Sequence, residues 1–460
     1  MRVPAWKRAF LATLIGAMAV AGSIGEKSGA AAATGLPLST VAIVRADRAS
    51  VYSVTGAEIR KMVRTAVALA GGLGDLIASG DTVVIKPNLV EMRDFLGERH
   101  PLPGILGGVA TDWRVVAAVA ELAHEAGAGK IYVMEGSANP TDEAFRYYGY
   151  SPANIPYVDA FIPIETDSGG WMEIDSPRLA KVDLPDGRYR KVYFLNRRYY
   201  EADVVISVPT LKNHASAVVT GAVKNLSIGA TPANIYGLGP KDYLRARIPH
   251  DNEEYHYFLR DYYKCRPAQF AVMDGLVGIQ HGPTPNASWG SKSYAEDCMN
   301  MRCILASRDP VALDAVEALV TGWDPETIKY LRYLGADGLG NADPARILVE
   351  GRGVAEVRRD FGGKNPPAGG RPYRDHDPPS LTLVSAEAKD GRCLLSLEAP
   401  ADTVRVELFL DGERAGIFLR DFRNLSADVS SLGQGEHRLR IVGYDRFLNG
   451  REIETELTVE

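Results

Sequence analysis

The stretch DVVISVPTLKNHASAVVTGAVKNLSIG, residues 203–229, joins an apolar segment directly to a polar cluster. Residues 204–208 predict a buried β-strand, because four of the five are Val or Ile. The polar residues where that strand should end, and those further along the stretch, are Thr210, Lys212, Asn213, His214, Lys224 and Asn225. Ligands of open parallel sheets bind beyond the carboxyl ends of the strands. This stretch therefore predicts a strand that leads into a binding site.

Strand-like and helix-like segments alternate along residues 38–361, a pattern typical of an α/β domain with a mostly parallel sheet and flanking helices. Predicted strands begin near Val41, Thr82, Ile131, Val204, Phe270 and Ile304, and predicted helices near Glu58, Val115 and Pro310. Polar residues follow five of these strands. In a parallel sheet all five groups would meet at one edge. The residues placed there by this argument are Lys86, Asn88, Glu135, Lys212, His214, Asp274 and Asp309.

The composition is that of a folded protein with more than one domain. The chain has 460 residues, of which 46% are hydrophobic and 24% charged. Its formal net charge is −6 and no block of five like charges occurs, so it lacks the basic surface that nucleic-acid binding requires. The expected partner is therefore a small molecule.

Residues 1–33 predict an export signal. Three basic residues precede the apolar run of residues 9–20, and small residues 29–33 supply a cleavage site after Ala33. Lys7-Arg8 also fits a twin-arginine signal whose first arginine is replaced by lysine. The expected location is periplasmic or extracellular, and membrane anchoring through an uncleaved segment is the less favoured alternative.

The composition of the chain changes near residue 362, where a Gly- and Pro-rich linker of residues 362–380 is predicted to begin. Residues 381–460 contain short alternating runs separated by turn residues such as Asp411-Gly412, which predict a small antiparallel β-sandwich. The stretch VELFLDGERAG, residues 406–416, resembles immunoglobulin-like or fibronectin-like modules of exported bacterial proteins. That resemblance implies a spacer, or a docking module for a cell-envelope partner.

Five segments of residues 40–355 resemble the bacterial and archaeal family called domain of unknown function 362. They are KPN at 86–88, P-x-L-K-x-H at 209–214, G-x-x-K-N at 221–225, the MDG segment at 273–283 and S-x-DPVALDA at 307–315. The family has no general assigned reaction. Many relatives carry a ferredoxin-like segment with clustered cysteines, so the resemblance also implies redox chemistry with an iron–sulfur partner.

The cysteines of this chain depart from that pattern. They are Cys265, Cys298, Cys303 and Cys393, and no C-x2-C-x2-C run occurs, so an intrinsic iron–sulfur cluster is disfavoured. In an oxidising compartment, a disulfide among Cys265, Cys298 and Cys303 is one expectation. Cys393 is expected to be a small buried apolar residue.

Two kinds of site fit the polar residues. In an anion site, Lys86, Lys212 and Lys224 would neutralise a carboxylate or phosphate that Asn88 and Asn225 orient. In a proton-transfer or divalent-metal site, the groups would be histidines and carboxylates, although none has a dedicated metal-ligand spacing. Those residues are Glu135, His214, Asp274, His281 and Asp309.

The sequence assigns provisional roles. The predicted catalytic residues are His214, Lys212 and Lys224; the predicted ligand-binding residues are Lys86, Asn88, Asn225, Asp274 and His281; the metal hypothesis rests on Glu135 and Asp309. These roles favour an exported enzyme that acts on a small anionic molecule, and an oxidoreductase is a close variant of this hypothesis. The alternative is a ligand-binding or cell-surface interaction protein without catalysis. The reaction, substrate and cofactor stay open.

Overall fold

The computed structural model describes residues 37–92, 108–239, 241–250, 252–284, 294–362 and 369–460. The predicted export signal lies outside the described residues, as do residues 363–368 of the predicted linker. Over the described ranges, no helix has both the length and the apolar character needed to span a bilayer.

The chain divides into two compact units. The larger comprises Met1–Ala342, Leu348–Arg352 and Val357–Pro372, and the smaller comprises Asp343–Ile347, Gly353–Glu356 and Tyr373–Glu460. Each unit has its own apolar core.

The larger unit is built on a mixed β-sheet of ten described strands, beside a separate two-stranded hairpin. In chain order the strands are β1 (Ser39–Arg45), β2 (Thr82–Pro87), β3 (Lys130–Glu135), β4 (Ala160–Pro163), the hairpin β5 (Leu179–Asp183) and β6 (Val192–Asn196), β7 (Val204–Val208), β8 (Thr210–His214), β9 (Val218–Val219), β10 (Phe270–Ile279), β11 (Cys298–Ser307) and β12 (Ile347–Gly351).

The described helices of four or more residues are α1 (Gly56–Leu69), α2 (Trp113–Glu125), α3 (Thr141–Tyr147), α4 (Arg197–Glu201), α5 (Gly221–Gly229), α6 (Ala233–Tyr236), α7 (Glu253–Cys265), α8 (Tyr294–Asp297), α9 (Pro310–Val320), α10 (Lys329–Ala336) and α11 (Val354–Val357). The mixed sheet, mostly parallel and flanked by helices, confirms the predicted fold class.

The sheet is buried on both faces, and its sequence shows why. The order of the strands is β12-β1-β11-β10-β7-β2-β3-β4, and the pairs from β10 to β4 are parallel. Alternate residues of a strand face opposite sides. Val83 and Ile206 face a core with α1 and α2, whereas Val84 and Val205 point to the opposite side. Near-continuous apolar strands of this kind require helices on both faces.

The sequence predicted that extended structure ends near Val208, but it does not. After Pro209 it continues as β8, which pairs in parallel with β10 and antiparallel with β9. The polar cluster of Lys212 to His214 therefore lies on a strand, and its side chains are fixed by strand geometry.

One strand runs in the unexpected direction. β11 is antiparallel to both β1 and β10. Its carboxyl end, which leads to Asp309, therefore lies at the opposite edge of the sheet from the carboxyl ends of β2, β3 and β7. The expectation that five strands deliver polar groups to one edge is wrong for this strand, because hydrophobic periodicity does not encode strand direction.

The smaller unit contains seven described strands, β13 (Thr382–Lys389), β14 (Arg392–Glu398), β15 (Thr403–Leu410), β16 (Glu413–Phe418), β17 (Leu425–Asp428), β18 (Gly435–Asp445) and β19 (Gly450–Val459). They form two antiparallel sheets, ordered β13-β14-β17 and β16-β15-β18-β19. Leu395 from one sheet and Leu408 and Ile441 from the other share one core. Asp411 and Gly412 both have positive φ, as a tight turn between β15 and β16 requires.

The expected disulfide is not formed, since all four cysteines are free thiols. Cys298 and Cys303 stand at the start and middle of β11, and five residues of extended chain span about 16 Å, far more than a disulfide allows. Cys265 instead donates its thiol to the Asp261 carbonyl in its own helix, at 3.3 Å. Cys393 is fully buried in the sandwich core, as the sequence predicted.

Candidate functional site

A cavity of about 270 Å3 lies beyond the ends of β2 and β3, beside α5, in the larger unit. Its polar and charged lining residues are Asn88, Glu91, Glu135, His214, Lys224, Asn225, Tyr243, Arg245, His250 and Thr284. Seven of the predicted site residues are on this wall or directly behind it, and Lys86 and Lys212 are the two behind. The cavity therefore lies where the sequence predicted the site, beyond the carboxyl ends of the strands.

Lys86 and Glu135 form a buried ion pair, in which Glu135 is part of the cavity wall and Lys86 lies behind it. The two side chains are 0% and 2% exposed, and Lys86 Nζ lies 2.7 Å from Glu135 Oε1. Burial lowers the pKa of Lys86, whereas the charge of Glu135 opposes that effect. Glu135 also accepts the backbone N–H groups of Leu89 and Gly136, at 2.9 and 2.8 Å. This carboxylate is fully engaged in organising the strand ends.

Asn225 links α5 to the strands. Its Nδ2 donates to the carbonyl of Lys86 at 3.0 Å and to Ser207 Oγ at 3.1 Å. Its Oδ1 accepts from Lys86 Nζ at 3.2 Å and from Asn88 Nδ2 at 3.3 Å. Asn225 therefore holds α5 in register with β2 and β7.

Lys212 is a buried internal residue. Its Nζ donates to Asn88 Oδ1 and to the carbonyl of Val109, both at 2.6 Å, and the residue is fully buried. Burial and then the nearby Lys224 charge hold its pKa well below the ordinary lysine value. Lys212 does not line the cavity, so the geometry gives it a positioning role through Asn88.

Lys224 is different from both other lysines. It lines the cavity, yet among the residues that the structure describes its Nζ has no hydrogen-bond or ion-pair partner. Burial, followed by the charges of Lys86 and Arg245, lowers its pKa to about 8. An amine of this kind is available both to a bound anion and to chemistry.

His214 is held in one orientation by its own loop. Its Nδ1 accepts the N–H groups of Ser216 and Ala217 at 3.1 and 3.3 Å, so the ring proton of the neutral form is on Nε2. Its ring stacks on Tyr255 with a centroid separation of 6.2 Å. Burial, followed by the Lys224 charge, holds its pKa well below 6.5. His214 is therefore a neutral hydrogen-bond donor at physiological pH.

Arg245 also lines the cavity, and sequence reasoning missed it. Its guanidinium donates to neutral oxygens of Gly136, Ser137, Thr231 and Tyr243. No carboxylate within the described ranges bonds to it, although Glu165 and Glu135 act on it through space. Glu165 is buried, and that burial raises its pKa to about 6. Arg245 has no motif to reveal it, since its acceptors are mostly backbone carbonyls distant in sequence.

Two carboxylates of α9 hold the site from behind. Asp314 accepts the N–H groups of Ala222 and Val223 in the first turn of α5, at 2.5 and 3.0 Å, while Glu317 accepts the N–H of Lys212 at 3.1 Å. Burial raises the pKa of Asp314 to about 7 and that of Glu317 well above its ordinary value. The S-x-DPVALDA motif contains Asp314, so it carried a signal for this role.

Asp274 and His281 lie away from the cavity wall, as does Asp309. Asp274, within β10, accepts the N–H groups of Asp112 and Leu276, and burial followed by the Asp112 charge raises its pKa to about 7. His281 Nδ1 lies 2.7 Å from Asp297 Oδ1. Neither residue lines the cavity, although Gly282, next to His281, does.

Asp309 caps α9, as its position before Pro310 allows. Its Oδ1 accepts the N–H groups of Val311 and Ala312, both at 3.0 Å. It borders a second cavity of about 1120 Å3, in which Glu135 takes no part. The structure therefore does not bring together the two residues of the metal hypothesis. Among the described residues, no cluster of three or more His, Cys, Asp or Glu could hold a metal ion.

The larger cavity is the weaker candidate despite its size. Its charged lining residues are already paired: Asp309 bonds to Ser39 and Asn341, Arg308 forms an ion pair with Asp75, and Asp337 forms one with Arg260. The smaller cavity has an amine without a partner among the residues described, together with perturbed pKa values, and these are better indicators of chemistry than volume.

The fold and the cavity define an α/β protein with a lysine-bearing polar site at the strand ends. The chain belongs to the family described as Domain of unknown function (DUF362), whose sequence model matches residues 83–318, just over half of the chain. This match confirms the family resemblance. Lys86, Glu135, Lys212, His214, Lys224 and Asn225 all fall within it.

A search of curated proteins finds the thylakoid-associated protein sll1697 of Synechocystis sp. (strain ATCC 27184 / PCC 6803 / Kazusa). It is 29% identical over 267 residues, which are 58% of this chain and 71% of that protein.

Similar solved structures include the lactate racemase apoprotein from Thermoanaerobacterium thermosaccharolyticum, at 14% identity and a TM-score of 0.29, covering 57% of this chain and 55% of that one. They also include fibronectin(III)-like modules of CbhA from Clostridium thermocellum, at 14% identity and a TM-score of 0.16, covering 18% and 96%. TM-scores this low support no inference about function.

Proposed function

We propose that this protein is an enzyme that binds a small carboxylate or phosphate anion in the 270 Å3 cavity and acts on it through Lys224. The observation that carries the proposal is the amine of Lys224, which has no partner in the described part of the chain and stands in a wall that also contains Arg245. A buried cation without a partner is costly, and a bound anion would remove that cost.

The charges around the cavity support an anionic ligand. The Lys86–Glu135 pair is neutral as a unit, and burial raises the pKa of Glu317, which disfavours its charged form. Lys224 makes no ion pair within the described ranges, and it lies close enough to Arg245 for the arginine to lower its pKa, an effect that the more weakly acting Glu317 opposes. His214 adds a neutral N–H donor on the same wall.

The alternative is a binding protein without turnover. A receptor for an anion benefits from a lysine whose pKa stays high, so that the charge persists. The lowered pKa of Lys224 instead favours an amine that can exchange its proton near neutral pH, which favours the enzyme. Redox chemistry with an iron–sulfur partner stays a prediction of the family resemblance.

The test is ligand-induced stabilisation of the full-length protein. Thermal unfolding would be followed with phosphate, pyruvate, lactate and citrate, and with glycerol as a neutral control. We expect at least one anion to raise the melting temperature of the wild type and to lose that effect in Lys224→Met. Lys61→Met, which changes an exposed lysine of α1, should respond as the wild type does. Equal responses of all three proteins would contradict the proposal.

We also propose that the protein is exported and that residues 381–460 are an immunoglobulin-like or fibronectin-like module that docks to a cell-envelope partner. The seven antiparallel strands in two sheets support such a module. Fractionation of host cells followed by amino-terminal sequencing tests the export. The expected result is a periplasmic or extracellular protein that begins at Thr34, and a cytoplasmic protein retaining residues 1–33 would contradict it.

A further inference from the structure

Three lysines lie at or behind the cavity, and the structure separates their roles. Lys86 Nζ bonds to Glu135, the carbonyl of Pro87 and Asn225. Lys212 Nζ bonds to Asn88 and the carbonyl of Val109. Lys224 alone of the three both lines the cavity and has no partner among the described residues. A lone amine facing an enclosed space is placed to react as well as to bind.

The surroundings of Lys224 favour its neutral, nucleophilic form. The cations of Lys86 and Arg245 both lower its pKa, and burial contributes more than either. The resulting value of about 8 leaves a substantial neutral fraction at pH 7 to 8. Desolvation together with a neighbouring cation is the arrangement that activates lysines for attack on carbonyl carbons.

The other wall groups match the remainder of a carbonyl acid. The protonated Nε2 of His214 can donate to a carboxylate, or to an oxygen that gains charge during attack, because its Nδ1 is occupied by Ser216 and Ala217. Val90, Ala138 and Ile228 supply an apolar side. The volume of about 270 Å3 corresponds to about nine waters at ~30 Å3 each, which suits an acid of three to five carbons.

We infer that Lys224 forms a Schiff base with the carbonyl carbon of a small 2-oxo acid bound in this cavity. The inference rests on the proposed function and names the substrate class of the same site. The lone pair of Nζ attacks the carbonyl carbon, and a C–N bond forms as the carbonyl oxygen takes up a proton. The nitrogen gives up a proton to solvent, the hydroxyl takes up a second proton from solvent and leaves as water, and a protonated C=N bond remains. The neutral amine, the ketone and one proton from solvent yield an iminium ion and water, without any oxidant or reductant.

The test is reductive trapping on the full-length protein. Cyanoborohydride would be added with pyruvate, 2-oxobutyrate or 2-oxoglutarate at pH 7.5, and the intact mass measured. We expect one adduct per chain, equal to the acid minus one oxygen atom, and peptide mapping that places it on Lys224. Its rate should rise between pH 6.5 and 8.5, because the neutral fraction of the amine grows.

Controls separate this inference from the proposed function. Lactate lacks the carbonyl and should give no adduct, and Lys224→Met should abolish trapping while Lys61→Met keeps it. Stabilisation by pyruvate and lactate alike, with no adduct from any of the three 2-oxo acids, would overturn the Schiff base and leave anion binding intact. Adducts spread over many lysines, as in protein unfolded by urea, would also overturn it. Failure of every anion to stabilise the protein would overturn the proposed function itself.

Discussion

Lys224 links the stability of the protein to its site. Its pKa of about 8 is below the ordinary value of 10.5, so the unfolded chain binds the proton more tightly. Stability should therefore rise with pH between 8 and 10.5, and at pH 7 the buried charge costs on the order of 3 kcal/mol. This cost is consistent with a functional residue, because binding sites often sacrifice stability.

Lys224→Met should therefore stabilise the protein at neutral pH. Methionine keeps most of the apolar stem and removes the charge, so the free energy of unfolding should increase by roughly 1 to 3 kcal/mol at pH 7. The gain should shrink towards pH 10, where the wild-type amine is also neutral. Urea denaturation at the two pH values measures it, with Lys61→Met as the exposed control. A gain that does not depend on pH would show that the charge is not its cause.

His214 has a structural and a functional atom, and two variants separate them. His214→Ala should cost roughly 2 to 3 kcal/mol, because it leaves two N–H groups without an acceptor and creates a void. His214→Asn should recover much of that loss, since its side-chain oxygen can accept in place of Nδ1. Both variants lose the Nε2 donor, so both should bind anions more weakly in a titration. Full affinity in His214→Asn would remove His214 from the ligand site.

At the scale of elements, α5 depends on a single glycine. Gly221 begins the helix with φ of 57°, and a Cβ at this position would collide with the Asp314 carboxylate. The carboxylate in turn holds the first-turn N–H groups that position Lys224. The family motif G-x-x-K-N thus contains both Gly221, which leaves room for the Asp314 carboxylate, and Lys224, which that contact positions.

Gly221→Ala should destabilise the larger unit by more than about 2 kcal/mol, because it adds a steric clash to the cost of a left-handed conformation. Gly72→Ala is the matched control: Gly72 also has positive φ, at 73°, but a Cβ there meets nothing within 4 Å. That variant should cost only about 1 kcal/mol. Thermal unfolding compares the two, and equal losses would mean that the contact with Asp314 tolerates displacement.

Local patterns predicted the elements of the larger unit well, and for a clear reason. The apolar runs of β2, β3 and β7 and the helical spacing in α1 and α2 are local properties of the chain. The direction of β11 depends on which strands it pairs with, so local sequence patterns could not predict that direction. Asp309 was assigned to the wrong edge of the sheet because the direction of β11 was not known.

The candidate site was predicted in part. Motifs around strand ends led to Lys86, Glu135, His214, Lys224 and Asn225, which meet at the cavity. Sequence could not distinguish a lysine that is paired from one that is free, because the partners of Lys212 and Lys86 come from distant segments. For the same reason it could not find Arg245, which is held by backbone carbonyls.

At the scale of the whole molecule, the smaller unit offers a test of where binding resides. Glu407 forms buried ion pairs with Arg405 and Arg414, at 2.9 and 3.0 Å. Its removal leaves Arg405 buried without its carboxylate, which typically costs about 3 to 5 kcal/mol. The effect should be confined to the sandwich, since that unit has a core of its own.

Glu407→Ala should therefore lower the stability of the smaller unit while anion affinity stays unchanged. Calorimetry and a ligand titration on the same sample measure both quantities. Glu454→Ala removes a comparable but exposed ion pair with Arg438 and should cost less than about 1 kcal/mol. Loss of anion binding in Glu407→Ala, but not in Glu454→Ala, would favour the interaction-protein alternative centred on the sandwich.

The first turn of α5 is a place where many proteins would hold a phosphate group, because its N–H groups and helix dipole attract negative charge. Here the Asp314 carboxylate already accepts these N–H groups, so a side chain of the protein itself fills the anion-binding position. A ligand in the cavity must then be recognised by other groups of the wall, most of which are side chains. Side chains can be exchanged one at a time without rebuilding the backbone, so members of this family could diverge in their choice of ligand while keeping the same fold.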